Sequence, residues 1–112
     1  MTTALVYAIK FVGDMDAAVT FYESELGLPL RFRSPEWSEF NTGQTTLALH
    51  LASHDNPPGT CQLGFRVADI DEFCAECQAH GVIVVAPPTE LHGQRIAKLR
   101  DVDGAEFSVS SK

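Results

Sequence analysis

The sequence predicts an α+β fold in which two tandem βαβββ modules form a cupped, barrel-like mixed sheet. The prediction depends on a repeat: an Asp-rich segment opens an apolar helix twice, and a glycine follows each helix. The first copy runs from Val12-Gly13-Asp14-Met15-Asp16 to Leu26-Gly27-Leu28, and the second from Val67-Ala68-Asp69-Ile70-Asp71 to His80-Gly81-Val82. A duplicated unit of this size must bury its open face on its copy. We therefore expect a functional site in the cup between the two.

Module one is expected at about residues 4–53. The run from Leu5 to Val12 is β-branched and aromatic and predicts a strand. A helix follows, with Asp14 or Asp16 as its N-cap and Gly27 as its left-handed stop. One side of this helix is expected to be apolar, through Met15, Ala18, Val19, Tyr22 and Leu26. Three short strand-like segments then fill the stretch to about Leu51.

A linker at about 54–60 has turn composition, and module two is expected at about 61–112 of a single domain, 1–112. Its helix should run from Ile70 to His80, with Asp69 or Asp71 as the cap. The strand before the helix is Gln62 to Val67, and those after it are Val82 to Val85, stopped by Pro87-Pro88, then Gln94 to Arg100 and Ala105 to Ser110. The last two strands flank Asp101-Val102-Asp103-Gly104, whose Asp-Gly step favours a tight hairpin.

Composition narrows the range of partners. Fifteen acidic and eight basic residues give a net charge of −7, and the scattered basic residues offer no cationic stripe for a nucleic acid. No apolar run approaches the length of a membrane span, and the amino terminus lacks the features of a signal peptide. We therefore expect a cytoplasmic protein with neither nucleic-acid nor membrane partners.

The spacing Cys74-x-x-Cys77, with His80 three residues later, is compatible with a redox or zinc site. However, Ile70, Phe73, Cys74 and Cys77 follow the i, i+3, i+4, i+7 pattern of a buried helix stripe. Thiols in such a stripe pack as small hydrophobic groups. Packing is therefore the preferred interpretation of both cysteines.

The chain resembles the vicinal oxygen chelate superfamily, which holds the glyoxalases, the bleomycin-resistance proteins and the extradiol dioxygenases. The segments that carry the resemblance are Val12-Gly13-Asp14-Met15, Phe21-Tyr22-Glu23-Ser24-Glu25-Leu26-Gly27-Leu28, Gly64-Phe65-Arg66-Val67-Ala68-Asp69-Ile70 and Leu99-Arg100-Asp101-Val102-Asp103-Gly104. They extend over nearly the whole chain. The resemblance implies the doubled fold and a homodimer, but not one chemistry, because this scaffold serves many functions.

Metal-using members resemble one another in two His and one Glu at positions that here read Tyr7, Gln62 and Ser108. A divalent metal prefers imidazole nitrogen and carboxylate oxygen, and a phenol, an amide and a hydroxyl together do not replace them. Two residues are left as ligands for a metal such as Zn, Ni, Fe or Mn. His50 lies near the position from which the family's remaining ligand comes, and Glu106 shares strand parity with Ser108. We therefore expect no complete metal site.

The expected ligand-binding residues line the cup. Strand alternation turns Tyr7 and Phe11 inward in module one, and Gln62 and Arg66 inward in module two. The full set of predicted ligand-binding residues is Tyr7, Phe11, Trp37, His50, Gln62, Arg66, His92 and Ser108. Apolar surface would supply affinity and the polar groups orientation, with Arg66 as an anchor for a carboxylate or phosphate.

Three functions remain open at this point. The preferred one is a metal-independent small-molecule binding protein of the glyoxalase/bleomycin-resistance type. The alternative is a metal-dependent lyase, isomerase or dioxygenase with atypical ligands, or a metal-free enzyme that uses Tyr7 for acid-base chemistry. A third is a structural or regulatory dimer whose cup is filled by its own side chains. No nucleophile-base pair or phosphate-binding glycine loop favours another class.

Overall fold

The structure is a computed structural model that describes residues 3–111, so the predicted domain limits, 1 and 112, lie outside the described residues. It contains eight strands and two α-helices, as the α+β prediction requires. In chain order they are β1 (Thr3–Val12), α1 (Met15–Thr20), a π-helical turn (Phe21–Glu25), β2 (Leu30–Phe32), β3 (Trp37–Phe40), β4 (Thr46–Leu51), β5 (Cys61–Val67), α2 (Ile70–Ala79), β6 (Val84–Leu91), β7 (Gln94–Arg100) and β8 (Glu106–Ser111).

The chain divides into two compact units, and the strands of each unit are mixed parallel and antiparallel. In the first unit, Tyr7–Cys61, the strand order is β2-β3-β4-β1, with β1 and β4 parallel. In the second unit, which holds residues 3–6 and 62–111, the corresponding order is β6-β7-β8-β5, with β5 and β8 parallel. The remaining pairs within each unit are antiparallel. The same βαβββ topology thus occurs twice, which confirms the duplication.

Helix α1 begins at Asp14, which resolves the choice between the two predicted caps. Its carboxylate accepts a hydrogen bond of 3.1 Å from the backbone N–H of Ala17, one of the N–H groups that a helix start leaves unpaired. The helix packs on its sheet through a core whose buried members are Val12, Met15, Val19, Phe40 and Leu49. Gly27 ends the segment at a φ of +74°, as predicted.

The π-helical turn is a feature that the periodic pattern did not predict. Its wider hydrogen bond joins the N–H of Leu26 to the carbonyl of Phe21 at 3.1 Å. A π turn holds more residues than an α turn, so it shifts the apolar stripe out of phase. Leu26 is consequently 55% exposed, whereas the prediction placed it on the buried side. Leu28 and Leu30 pack against the core instead.

Helix α2 is capped by Asp69, whose carboxylate accepts a hydrogen bond of 3.0 Å from the N–H of Glu72. Its buried stripe is the predicted one. The core beneath it consists of Val67, Ile70, Cys74, Ala97, Leu99 and Val109, with Phe73 and Cys77 packed against it. Within residues 3–111, neither helix has the length and apolar character needed to cross a membrane.

Strand β6 does not stop at Pro87-Pro88 as predicted but continues to Leu91. It lies at the end of the strand order, where β7 is its neighbour. A proline lacks the N–H that a central strand needs, but an edge strand has one side without a ladder. The pairing register also shifts between Ala86 and Thr89, where both prolines lie. An irregular edge strand therefore accommodates them.

Two hairpins complete the second unit. Asp101 organises the β7–β8 turn, because its Oδ1 accepts hydrogen bonds from the N–H groups of Asp103 (2.9 Å) and Ala105 (3.0 Å). Gly104 takes the left-handed conformation, with φ of +84°. A hairpin therefore forms where it was predicted, but its connection is the five-residue loop 101–105 and not a tight Asp-Gly turn. The β6–β7 hairpin has a two-residue turn.

Candidate functional site

The sheet of the first unit has one face toward α1 and an opposite face that carries the candidate site. Side chains alternate between the faces along a strand. On β1, Val12 packs in the core under α1, whereas Ile9 and Phe11 belong to a separate apolar cluster with Ala48. Tyr7, Trp37 and Ala52 pack against this second cluster. The predicted inward orientation of Tyr7 and Phe11 therefore matches the observed clusters.

Four rings form the centre of this surface, which we call the aromatic face: Tyr7, Phe11, Trp37 and His50. Trp37 lies edge-on to Tyr7 and to His50, each with ring centroids 5.8 Å apart. The rings of Phe11 and His50 have centroids 5.2 Å apart. His50 is the register partner of Trp37 on β3 and of Phe11 on β1, which explains its position between them. Edge-on geometry at this distance is favourable for aromatic pairs.

The aromatic face grades from buried to exposed. Ile9, Phe11 and Ala48 are buried, Tyr7 and Trp37 are partly exposed, and His50 is exposed. Its apolar base, which includes the Phe11 ring, is therefore covered, while the rings of Tyr7, Trp37 and His50 reach solvent. Such a gradient from an apolar base to amphipathic rings is typical of small-molecule sites.

A carboxylate at the edge of the aromatic face fixes the indole ring. Glu39 Oε2 accepts a hydrogen bond of 2.8 Å from Trp37 Nε1. Its other oxygen, Oε1, accepts hydrogen bonds from Arg31 Nε (3.2 Å) and Nη2 (3.0 Å), and Arg31 Nη2 also donates to Thr46 Oγ1 at 2.5 Å. Glu39, Arg31 and Thr46 are not among the site residues predicted from the sequence. The i, i+2 spacing of Trp37 and Glu39 on one strand was the signal for a shared face.

His50 has a defined hydrogen-bonding role within the aromatic face. Its Nδ1 lies 2.8 Å from the carbonyl oxygen of Leu51. Because a carbonyl only accepts, Nδ1 carries the proton in this contact, which leaves the lone pair of a neutral ring on Nε2. In its neutral form, His50 with this contact presents a hydrogen-bond acceptor at the exposed end of the aromatic face.

The second unit has a polar face opposite α2. Phe65 and Val67 belong to the core under α2, so the alternation along β5 turns Gln62, Gly64 and Arg66 to the opposite face, as predicted. The register places Gly64 beside Ser108 and Arg66 beside Ser110. Gln62 is buried, whereas Arg66 and Ser108 are partly exposed. The structure thus brings Gln62, Arg66 and Ser108 to one face.

His92 occupies a different environment from the other predicted ligand-binding residues. With Gly93 it forms the two-residue turn between β6 and β7, where Leu91 pairs with Gln94. Both turn residues have positive φ, +53° for His92 and +77° for Gly93. This is the backbone pattern of a type I′ hairpin turn. The geometry thus explains His92 as a turn residue.

The cysteines of Cys74-x-x-Cys77 lie where the helix stripe predicts. Cys74 is buried, Cys77 is partly buried, and Cys61 on β5 is exposed. Burial raises the pKa of the Cys74 and Cys77 thiols, and the negative charge of nearby groups adds to the effect. A raised pKa lowers the fraction of thiolate, the form that reacts and binds metal.

The comparison with known proteins identifies the family. The family model of the Glyoxalase/Bleomycin resistance protein/Dioxygenase superfamily matches residues 4–109. The chain therefore belongs to this superfamily, and the resemblance inferred from the sequence is confirmed. An uncharacterized protein of Mycolicibacterium smegmatis (strain ATCC 700084 / mc(2)155) is 30% identical over 92 residues, which are 81% of this chain and 78% of the relative.

Solved structures support the same fold. A hypothetical protein from Bacillus halodurans C-125 superposes with a TM-score of 0.84 at 17% identity, covering 100% of this chain and 96% of its own. The methylmalonyl-CoA epimerase of Mycobacterium tuberculosis superposes with a TM-score of 0.78 at 21% identity, covering 96% of this chain and 87% of its own. At these identities the likeness establishes the architecture and leaves the chemistry to the side chains.

The side chains present do not fit the divalent metal used by part of this superfamily. Tyr7, Gln62 and Ser108 stand at the positions that the resemblance assigns to metal ligands, and they supply neither imidazole nor carboxylate. Within residues 3–111, no three His, Cys, Asp or Glu side chains are grouped so that they could hold a metal ion. His50 lies on β4 and Glu106 lies opposite Arg100 on β8. We derive no chemical step through a metal.

Proposed function

We propose that this protein is a small-molecule binding protein of the glyoxalase/bleomycin-resistance type, and that a flat organic ligand stacks on the aromatic face of the first unit. The observation that carries the proposal is the indole of Trp37, partly exposed beside a buried apolar base and oriented by Glu39. A Trp that only fills a core needs no solvent exposure, whereas the ring of Trp37 is partly exposed.

The groups around Trp37 suit a conjugated ligand with a polar edge. Aromatic rings provide a large contact area at low cost in conformational entropy. The Tyr7 hydroxyl can donate or accept a hydrogen bond, and His50 Nε2 can accept one when the ring is neutral. A few such polar groups beside apolar surface set the orientation of a bound molecule.

Fluorescence gives a direct test, because Trp37 is the only tryptophan of the chain. A panel of planar bicyclic compounds, such as quinoline and naphthol derivatives, is titrated while Trp37 emission and the melting temperature are recorded. We expect saturable quenching together with an increase in Tm, since ligand at 100 times its Kd stabilises a protein by about 2.7 kcal/mol. Quenching that is linear in concentration, with no Tm shift for any compound, would contradict the proposal.

Variants distinguish stacking from a general effect on the fold. Trp37→Leu should weaken binding about fivefold, measured by calorimetry, because an aromatic contact contributes about 1 kcal/mol beyond its area. Phe21→Leu is the matched control, since Phe21 is an exposed aromatic residue of the π turn outside the aromatic face. An equal loss of affinity in both variants would count against the aromatic face as the ligand site.

The proposal includes independence from metal. Dialysis against EDTA should leave ligand affinity unchanged, and elemental analysis should find no stoichiometric Zn, Ni, Fe or Mn. One equivalent of metal whose removal abolishes binding would support the alternative, a metal-dependent lyase, isomerase or dioxygenase that uses His50 and Glu106. The homodimer and the cytoplasmic location remain predictions, and sedimentation equilibrium tests the first of them.

A further inference from the structure

In the second unit, the guanidinium group of Arg66 has a nitrogen that is covered but has no hydrogen-bond partner among the described residues. This nitrogen is Nε. A buried polar group without a partner costs free energy, more so when it is charged. A chain of net charge −7 has no shortage of carboxylates, so the unpaired Nε of Arg66 requires an explanation.

Three other arginines of the chain each have a carboxylate partner. Arg31 pairs with Glu39, Arg33 with Asp16, and Arg95 with Asp71. Each of these side chains is 40% exposed or more. Arg66 is partly exposed, and it forms no ion pair within residues 3–111. Arg66 therefore has a covered Nε without the carboxylate partner that these three arginines have.

The strands around Arg66 supply hydroxyl groups and a second cation. Ser110 is its register partner on β8, and Ser108 is the partner of Gly64. On β7, Lys98 pairs with Ser108, which puts Lys98 on the same face as Arg66 by register. The carboxylate of this face, Glu106, lies four residues from Ser110 and opposite Arg100. The strands next to Arg66 thus present hydroxyls and an ammonium group.

We propose that Arg66 binds the carboxylate of a small organic acid. The Nε–H and the neighbouring Nη–H of a guanidinium are parallel donors, and a carboxylate accepts both at once. The unpartnered Nε is one of these two donors. Because it is covered in the free protein, side-on pairing requires the partly exposed side chain to turn outward as the carboxylate binds. Ser108 can contribute a further hydrogen bond, and Gly64 places no side chain beside it. This site is argued from residues outside the aromatic face and goes beyond the proposed function.

The test follows the Arg66 Nε–Hε resonance of the ¹⁵N-labelled wild-type protein by NMR, with the resonance assigned from its absence in Arg66→Lys. Benzoate, its neutral isostere benzamide and inorganic phosphate are titrated separately. We expect a saturable shift with benzoate and none with benzamide. An equal shift with benzamide, or phosphate binding more tightly than benzoate, would overturn the carboxylate assignment.

Affinity measurements on variants give a second, independent result. Arg66→Lys keeps the charge but loses the parallel donors, so its affinity for benzoate should fall at least tenfold. Arg95→Lys is the control, because Arg95 is already paired with Asp71, and its affinity should stay within twofold of the wild type. Unchanged affinity in Arg66→Lys would overturn the proposal. The aromatic-face proposal is judged separately, by Trp37 quenching with uncharged compounds.

Discussion

The indole Nε1 of Trp37 donates a hydrogen bond of 2.8 Å to Glu39 Oε2, two residues further along the same strand. Residues i and i+2 of a strand share a face, so this bond runs along β3 and fixes the plane of the ring. Arg31 holds the other oxygen of the carboxylate. The aromatic face thus has an oriented ring before any ligand arrives, and preorganisation of this kind reduces the entropy that binding costs.

Replacement of Glu39 should loosen the ring. In Glu39→Leu, Trp37 Nε1 and the Arg31 guanidinium lose their shared acceptor, and we expect a loss of about 1 kcal/mol in the free energy of unfolding. Affinity for a planar ligand should fall about threefold to tenfold, because the ring is less ordered. Urea denaturation and calorimetry measure the two effects. Glu36→Leu, at an exposed position before β3, is the control, and equal effects in both variants would contradict the positioning role.

The ion pair between Arg95 and Asp71 predicts a pH effect. The hydrogen bond from Arg95 lowers the pKa of the Asp71 carboxyl and, together with the charge of Arg95, outweighs the opposing effect of desolvation. A lowered folded-state pKa stabilises the protein above the ordinary pKa near 3.8, and this contribution is lost as the pH falls through the lowered folded value. Arg95→Gln should return the pKa of Asp71 toward its ordinary value, as followed by NMR titration of the side-chain carboxyl. A pKa that does not rise in this variant would exclude the ion pair as the cause.

Cysteine reactivity should divide the three thiols into two groups. Cys61 is exposed, whereas burial raises the pKa of Cys74 and Cys77. At pH 8, one thiol should react rapidly with Ellman's reagent, and the other two should react on unfolding. Cys61→Ser should remove the rapid phase. Rapid reaction of three thiols, or protection relieved by a zinc chelator, would instead favour the redox or metal interpretation of Cys74-x-x-Cys77.

The turn residue His92 offers a gain in stability. Its φ of +53° is unfavourable for most L-residues, whereas Asn adopts the left-handed region more readily and is preferred in type I′ turns. His92→Asn should therefore raise the free energy of unfolding by about 0.5 kcal/mol, measured by urea denaturation. Affinity for planar ligands should not change. A drop in affinity would return His92 to the set of ligand-binding residues.

The helix caps and the side-chain directions along the strands could be predicted from the sequence, because local chemistry decides them. The Asp caps, Gly27 and the alternation on β1 and β5 each follow from backbone hydrogen bonding and side-chain direction over a few residues. The continuation of β6 through Pro87 could not be predicted, because a strand tolerates a proline only where no neighbouring strand needs the missing N–H. The position of a strand in the sheet is a property of the whole fold.

The site shows the same division. Strand parity was enough to select Tyr7, Phe11, Gln62 and Arg66 as side chains that turn away from the helices. Parity could not show that Glu39 would accept a hydrogen bond from the Trp37 indole, or that the Nε of Arg66 would be covered without a partner. Those outcomes depend on which side chains the register brings within hydrogen-bond distance.

By itself, the sequence determined the doubled βαβββ architecture, because its Asp caps, Gly stops and apolar periodicity recur in two copies, and its motifs carried the resemblance to the superfamily. It also determined that Tyr7, Gln62 and Ser108 supply neither imidazole nor carboxylate. The tertiary structure decided the grouping of rings around His50 and the pairing state of each arginine. The physical reason is distance: a hydrogen bond or ring contact forms over a few ångströms between residues far apart in the chain, and only the folded register sets that separation.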